Sequence, residues 1–118
     1  MRQPPSIEAW GDGGFRVSAL WRPGSLLILD DEPLAWGPSG LQDLTQIDFV
    51  PVIDAGPAVS EFVLLGTGSV QALPPRAVRE ALQAAGLGLE FMATEAAARL
   101  HNILASEGRR FATALIAV

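Results

Sequence analysis

The sequence predicts an α/β domain in which a mixed β-sheet is covered on at least one face by helices, and three observations lead there. Glycine and proline crowd the first forty residues, with short β-prone runs between them, the pattern of a strand meander. Alanine then accumulates, with fourteen of eighteen lying between Ala58 and Val118, so helices take over in the second part. Within that part apolar runs alternate with helical ones in the order β-α-β-α-β, which packs as helices against a sheet. At 118 residues the chain fits one domain, 1–118, with no internal repeat and no linker.

Each element has a local reason. Ile7–Trp10, Phe15–Ala19 and Ser25–Leu29 read as the first strands. Trp10-Gly11-Asp12-Gly13-Gly14-Phe15 supplies hairpin chemistry, because glycine adopts the positive φ that side chains resist. A fourth strand covers Leu34–Trp36. Leu41, Leu44 and Ile47 recur at a spacing of three, predicting a short helix that Pro51 interrupts. Phe62–Leu65 is a buried strand stopped by glycine. Pro74-Pro75 opens a helix over Arg76–Ala85 and Gly86 ends it. Leu87, Leu89 and Phe91 then alternate with Gly88, Glu90 and Met92 as a strand. Thr94 is the expected N-cap of a helix reaching Glu107, with Glu95 near its positive end, Gly108 after it, and a last strand from Arg110 to Val118.

Composition narrows the function. Without cysteine there are no disulfides, thiolate zinc sites or cysteine nucleophiles, and His101 is the single imidazole. No carboxylate cluster has ligand-like spacing, so neither a metal nor another cofactor is expected. A net charge of −5 and a pI of about 4.6 oppose the basic footprint of a nucleic-acid binder. Nine acids fall in residues 1–61 against four in 62–118, a surface suited to solubility or to steering a basic partner. No apolar run approaches the roughly 20 residues of a membrane span. Prolines at positions 4 and 5 stand where a secretory signal would be continuously apolar, so a cytoplasmic location without signal peptide is expected.

Four places could carry chemistry. Leu64-Leu65-Gly66-Thr67-Gly68-Ser69 is a glycine turn at a strand end, where α/β proteins often bind ligands. It lacks the third glycine and immediate helix of a dinucleotide fingerprint, and a chain without lysine has no Walker motif, so a structural turn or small anion nest fits better. On the following helix Ala96, Ala97, Leu100, Ile103 and Leu104 form an apolar stripe, with Glu95, Arg99, Asn102 and Ser106 on another face. Glu95 and Arg99 form either an ordinary i,i+4 surface pair or part of a recognition strip. His101 is structural or solvent-facing rather than a general base, since no nucleophile pattern accompanies it, and no serine sits in a Gly-x-Ser-x-Gly elbow. Arg109 and Arg110, after Glu107-Gly108, either cap that helix and pair with Glu107 or clamp an anion.

Leu64-Leu65-Gly66-Thr67-Gly68, then Met92-x-Thr94, then Ala97-x-Arg99-x-x-Asn102-x-Leu104-x-x-Glu107-Gly108-Arg109-Arg110 resembles a small domain-of-unknown-function family. That family includes the mitochondrial complex I assembly factor and the adipogenesis-associated domain protein, with many bacterial stand-alone members. Trp10-Gly11, Gly14-Phe15, Gly24-Ser25-Leu26 and Trp36 extend the resemblance over nearly the whole chain. Where the family usually reads Ala-Cys-Arg-Thr-Tyr-Asn, this chain has Ala98, Leu100 and His101 for the cysteine, threonine and tyrosine, which argues against roles needing that thiol or phenol. The resemblance implies a three-layer α/β domain with a central mixed sheet, a last strand antiparallel to its neighbours, and a non-catalytic interaction or assembly-type role with a protein partner. A small-ligand or anion-binding protein using Gly66–Ser69 and Arg99 is the alternative, and an undescribed hydrolase the third; homo-oligomerisation stays open. The expected recognition surface gathers Gly66, Thr67, Gly68, Met92 and Thr94 with Arg99 and Asn102, extended by Glu107 and Arg109.

Overall fold

The computed structural model describes residues 2–118. Strands β1 (Ile7–Gly11), β2 (Gly14–Val17) and β3 (Leu20–Pro23) form an antiparallel sheet in that order. A second sheet contains β4 (Ser25–Leu29), β5 (Glu32–Trp36), β6 (Phe62–Gly66), β7 (Gly88–Met92) and β8 (Phe111–Leu115), ordered β5-β4-β8-β6-β7. Helices α1 (Val50–Ala55), α2 (Arg76–Ala84) and α3 (Thr94–Ser106) complete the chain, with 3-10 turns at Leu41–Asp43 and Gln46–Phe49.

Alternation along the central strands explains the layers. Val63, Leu65, Ala112 and Ala114 face one core with Val52, Val78 and Leu82 of α1 and α2. Leu26, Ile28, Leu64 and Leu115 face the other, where Ala97 and Ala98 of α3 meet Ile7, Phe15 and Val17 of the small sheet. The sheet is thus covered on both faces, in three layers. The last strand lies at its centre: β8 pairs antiparallel with β4 through Leu27↔Ala114 and parallel with β6 through Leu64↔Thr113. The expectation of an antiparallel last strand is therefore met on one side only, because β6-α2-β7 and β7-α3-β8 are parallel crossovers.

Several local expectations are corrected. The strand predicted over Phe15–Ala19 ends at Val17, since Ser18 and Ala19 both take positive φ (48° and 70°) and turn the chain into β3, a strand absent from the sequence reading. The Leu41–Ile47 helix is instead two 3-10 turns, the second closed by a capping box between Thr45 and Asp48. Pro51 does not end a helix there but sits in the first turn of α1, where a missing N–H costs nothing. Both longer helices end as predicted: Gly86 and Gly108 take positive φ (77° and 76°), and Leu87 and Arg109 donate back to the Leu82 and Leu104 carbonyls.

α3 is rotated relative to its predicted stripe. Its buried face is Thr94, Ala97, Ala98 and His101, while Ala96 and Ile103 are exposed. Small and polar residues form the contact because α3 lies close against β6 and must satisfy polar groups at the sheet end.

Candidate functional site

The carboxyl ends of β6 and β8 meet the start of α3 around Thr94, which is not the N-cap. Ala93 holds that position with no side-chain cap, and Thr94 is fully buried in the first turn. Its hydroxyl donates to the Ile116 carbonyl at 2.8 Å and accepts the Gly68 N–H at 3.0 Å, while its own N–H donates to the Gly68 carbonyl at 2.8 Å. Thr67 closes the other side: its N–H donates to the Met92 carbonyl at 2.8 Å, and its hydroxyl lies 2.6 Å from the Val70 carbonyl while accepting the Ala72 N–H. Gly66, Thr67, Gly68, Met92 and Thr94 are thus brought together, with these donors engaged inside the chain.

The two glycines are needed for different reasons. A Cβ on Gly66 would stand 2.9 Å from the Thr94 Cα, a backbone atom that cannot swing away. Gly68 has open space but a φ of 110°. Gly66→Ala is expected to cost about 1–3 kcal/mol through overpacking and Gly68→Ala a similar amount through backbone strain. Chemical denaturation of the two variants checks this, and unchanged midpoints would contradict it.

Further along α3 the predicted polar strip separates. Arg99 pairs with Glu95 at 3.1 Å and lies 5.5 Å over the Trp10 ring, both carboxylate and guanidinium well exposed. Arg99→Ala is therefore expected to change stability by less than about 1 kcal/mol in thermal unfolding. Asn102 grips the small sheet, accepting the Ile7 N–H and donating to the Ile7 carbonyl, both at 2.8 Å. Glu107 and Arg109 stand at the far end of α3, about 20 Å from the turn for thirteen helical residues. There the Arg109 guanidinium lies 5.3 Å over the Phe62 ring and Arg110 donates to the Ala58 carbonyl; among the described residues neither pairs with Glu107.

His101 is a core residue. Nε2 lies 2.9 Å from the Pro5 carbonyl, which can only accept, so Nε2 carries the proton and Nδ1 accepts from the Thr113 hydroxyl at 2.7 Å. Burial lowers its pKa, outweighing the hydrogen bond to Pro5 that raises it. The neutral form is favoured in the fold, so below the ordinary value of 6.5 the unfolded chain takes up a proton that the folded chain refuses. Stability is thus expected to be flat through this group above that pH. Below it, stability should fall by up to about 1.4 kcal/mol per pH unit until the folded pKa is reached. Denaturant midpoints just below pH 6.5 should show this slope in the wild type and lose it in His101→Gln.

A groove that the sequence reading did not flag lies where the two sheets diverge, between β3 and the β4–β5 hairpin. It has a volume of about 320 Å3 and is lined by Leu20, Trp21, Arg22, Leu26 and Leu34, among others. Leu20 is 59% exposed and Trp21 46%. Arg22 forms no salt bridge among the described residues, and its Nε is buried without a hydrogen-bond partner. Leu20-Trp21-Arg22-Pro23 is the only local signal, a large apolar pair beside a cation, and it says nothing about a groove until β5 is folded next to it. By contrast the smaller cleft of about 170 Å3 beside Asp30 and Ala58 has its arginines engaged: Arg2 pairs with Asp31 at 3.0 Å and Arg110 binds Ala58. Among the described residues no group of three histidines or carboxylates is placed to hold a metal, and no helix is long and apolar enough to cross a membrane.

Comparison with known proteins agrees with the fold. A family model described as protein of unknown function (DUF498/DUF598) matches residues 7–116. The chain is 34% identical over 110 residues to an uncharacterized protein of Rhodobacter capsulatus, spanning 93% of this chain and 82% of that one. It superposes on the crystal structure of an outer membrane protein from Bartonella henselae with a TM-score of 0.89 at 32% identity, covering 98% and 96% of the two chains. A Mth938-like domain from Bordetella pertussis gives a TM-score of 0.77 at 28% identity, covering 95% and 85%.

Proposed function

The chain belongs to the DUF498/DUF598 family of proteins of unknown function, and on that premise we propose that it is a non-catalytic docking module holding a protein partner in the groove between its two sheets. The observation that carries this reading is the exposed Leu20 and Trp21 standing beside Arg22, a cation without an acidic partner among the described residues. Tryptophan and arginine dominate the binding energy of protein interfaces, and an apolar groove around them excludes water from the contact. The free guanidinium calls for a carboxylate on the partner, next to an apolar side chain that covers Leu34 and Leu20.

Catalysis and anion binding draw less support from the structure. His101 is neutral and committed to Thr113 and Pro5. The Thr67 and Gly68 amides answer to Met92 and Thr94. An assembly-factor role, by analogy with the mitochondrial relatives the sequence resembles, would use such a groove to hold a subunit or a second factor. Arg99, on Trp10 beside a shallower cleft of about 260 Å3 lined by Gly68 and Ser69, is the other contact surface of this reading. Capture from a native lysate separates the two: Trp21→Ala should lose the partner and Arg99→Ala should keep it. The opposite result would move the site to the turn, and retention by both variants would overturn the groove.

A further inference from the structure

We propose that the free edge of β7 takes up an extended segment of another protein as a sixth strand of the central sheet, with a basic residue opposite Glu90. Among the described residues four strand edges have no neighbouring strand, and three of them are blunted. At β1, Asn102 already occupies both main-chain groups of Ile7. At β3, the two-residue turn makes Val17 and Leu20 a hydrogen-bonded pair; alternation, confirmed by Gly24 N–H donating to Gly13, leaves Trp21 and Pro23 facing outward. At β5, the Asp30-Asp31 turn leaves Pro33 and Ala35 outward by the same argument. Each of these two edges therefore offers a single N–H, because proline has none, and such edges resist strand addition.

β7 is different. Gly88 N–H donates to Glu61 and the Met92 carbonyl accepts from Thr67, so residues 88, 90 and 92 point their main chain toward β6. Leu89 and Phe91 consequently present two N–H and two carbonyl groups outward at a spacing of two, with no partner among the described residues and no proline between them. This is the spacing that an added strand reads.

Charge selects the occupant. Glu90 is exposed and sits on the α3 face beside a cleft of about 280 Å3 lined by Phe62, Leu100, Leu104 and Arg109; the Arg109 guanidinium lies over the Phe62 ring and, among the described residues, Glu90 forms no ion pair with it or any other cation. A second copy pairing two-fold about this position would set Glu90 against Glu90 in a close cross-strand pair, which is destabilising. A strand with lysine or arginine there gains an opposite charge instead. Bare Gly88 leaves its neighbour room to lay an apolar side chain into the cleft.

The surface is separate from the β3 groove, so either reading can fail without the other. The test uses the full chain, isotope-labelled, titrated with two short capped peptides of alternating threonine and valine that differ only in a central lysine or glutamate. The lysine peptide should shift the Leu89 and Phe91 amide resonances and slow their exchange with solvent. It should bind about five-fold tighter than the glutamate peptide, with that preference reversed in Glu90→Lys. Three results would overturn the proposal: no response of β7 at millimolar lysine peptide, equal binding of both peptides, or a chain that is already dimeric with these amides protected.

Discussion

Thr94→Val should lower the folding free energy by about 2–4 kcal/mol, although it exchanges one hydroxyl for a methyl of the same shape. The hydroxyl serves two buried main-chain groups, the Ile116 carbonyl and the Gly68 N–H. Valine leaves both without a partner, and an unsatisfied buried polar group costs about 1–3 kcal/mol. No water reaches a residue that is 0% exposed, so little of that cost is recovered. The midpoint of urea unfolding reads the effect; Thr94→Ser, which keeps the hydroxyl and loses only a methyl, should sit much nearer the wild type. Equal midpoints for wild type and Thr94→Val would mean that the end of the sheet is held by packing alone.

The second large effect concerns binding and leaves the fold intact. Trp21 projects from the edge strand β3, where its ring lies over Gly14 and about half of it is open to solvent. Trp21→Ala should therefore change stability modestly and weaken partner binding by about thirty-fold or more, the range of a central interface tryptophan. Arg22→Gln should weaken binding as well, and more strongly at low ionic strength, because it removes the charge that attracts a carboxylate. Titration calorimetry at two salt concentrations, with the partner recovered by capture, measures both.

How much of this could be read in the sequence follows from how local each signal is. The β-α-β-α-β order of the second part was legible because Pro75, Gly86 and Gly108 punctuate it in helix-specific ways. β3 was not, since its turn uses Ser18 and Ala19 at positive φ, positions where glycine or asparagine would have announced a hairpin. The buried face of α3 departs from the apolar stripe because hydrophobicity favours Ile103, whereas close packing against β6 favours Ala97 and Ala98 and hydrogen bonding recruits Thr94 and His101. Five of the predicted site residues did converge, at the Thr94 junction. Arg99, Asn102, Glu107 and Arg109 were dispersed along α3, because a shared helix does not imply a shared environment. The groove has no sequence signature for a similar reason, since it exists only where β3 and the β4–β5 hairpin come together in space.

Protein docking at that groove is tested most directly by site-specific crosslinking. A photoreactive benzoyl-phenylalanine is placed at position 35, where exposed Ala35 lines the groove and Trp21 is left in place, and, in a second sample, at position 103, where Ile103 is 55% exposed on α3 and lies outside that lining. Illumination in native lysate should yield one discrete protein adduct from position 35 and none from position 103, with the adduct lost when Trp21→Ala is added. An adduct of equal yield at both positions, or none at position 35, would contradict docking through the groove.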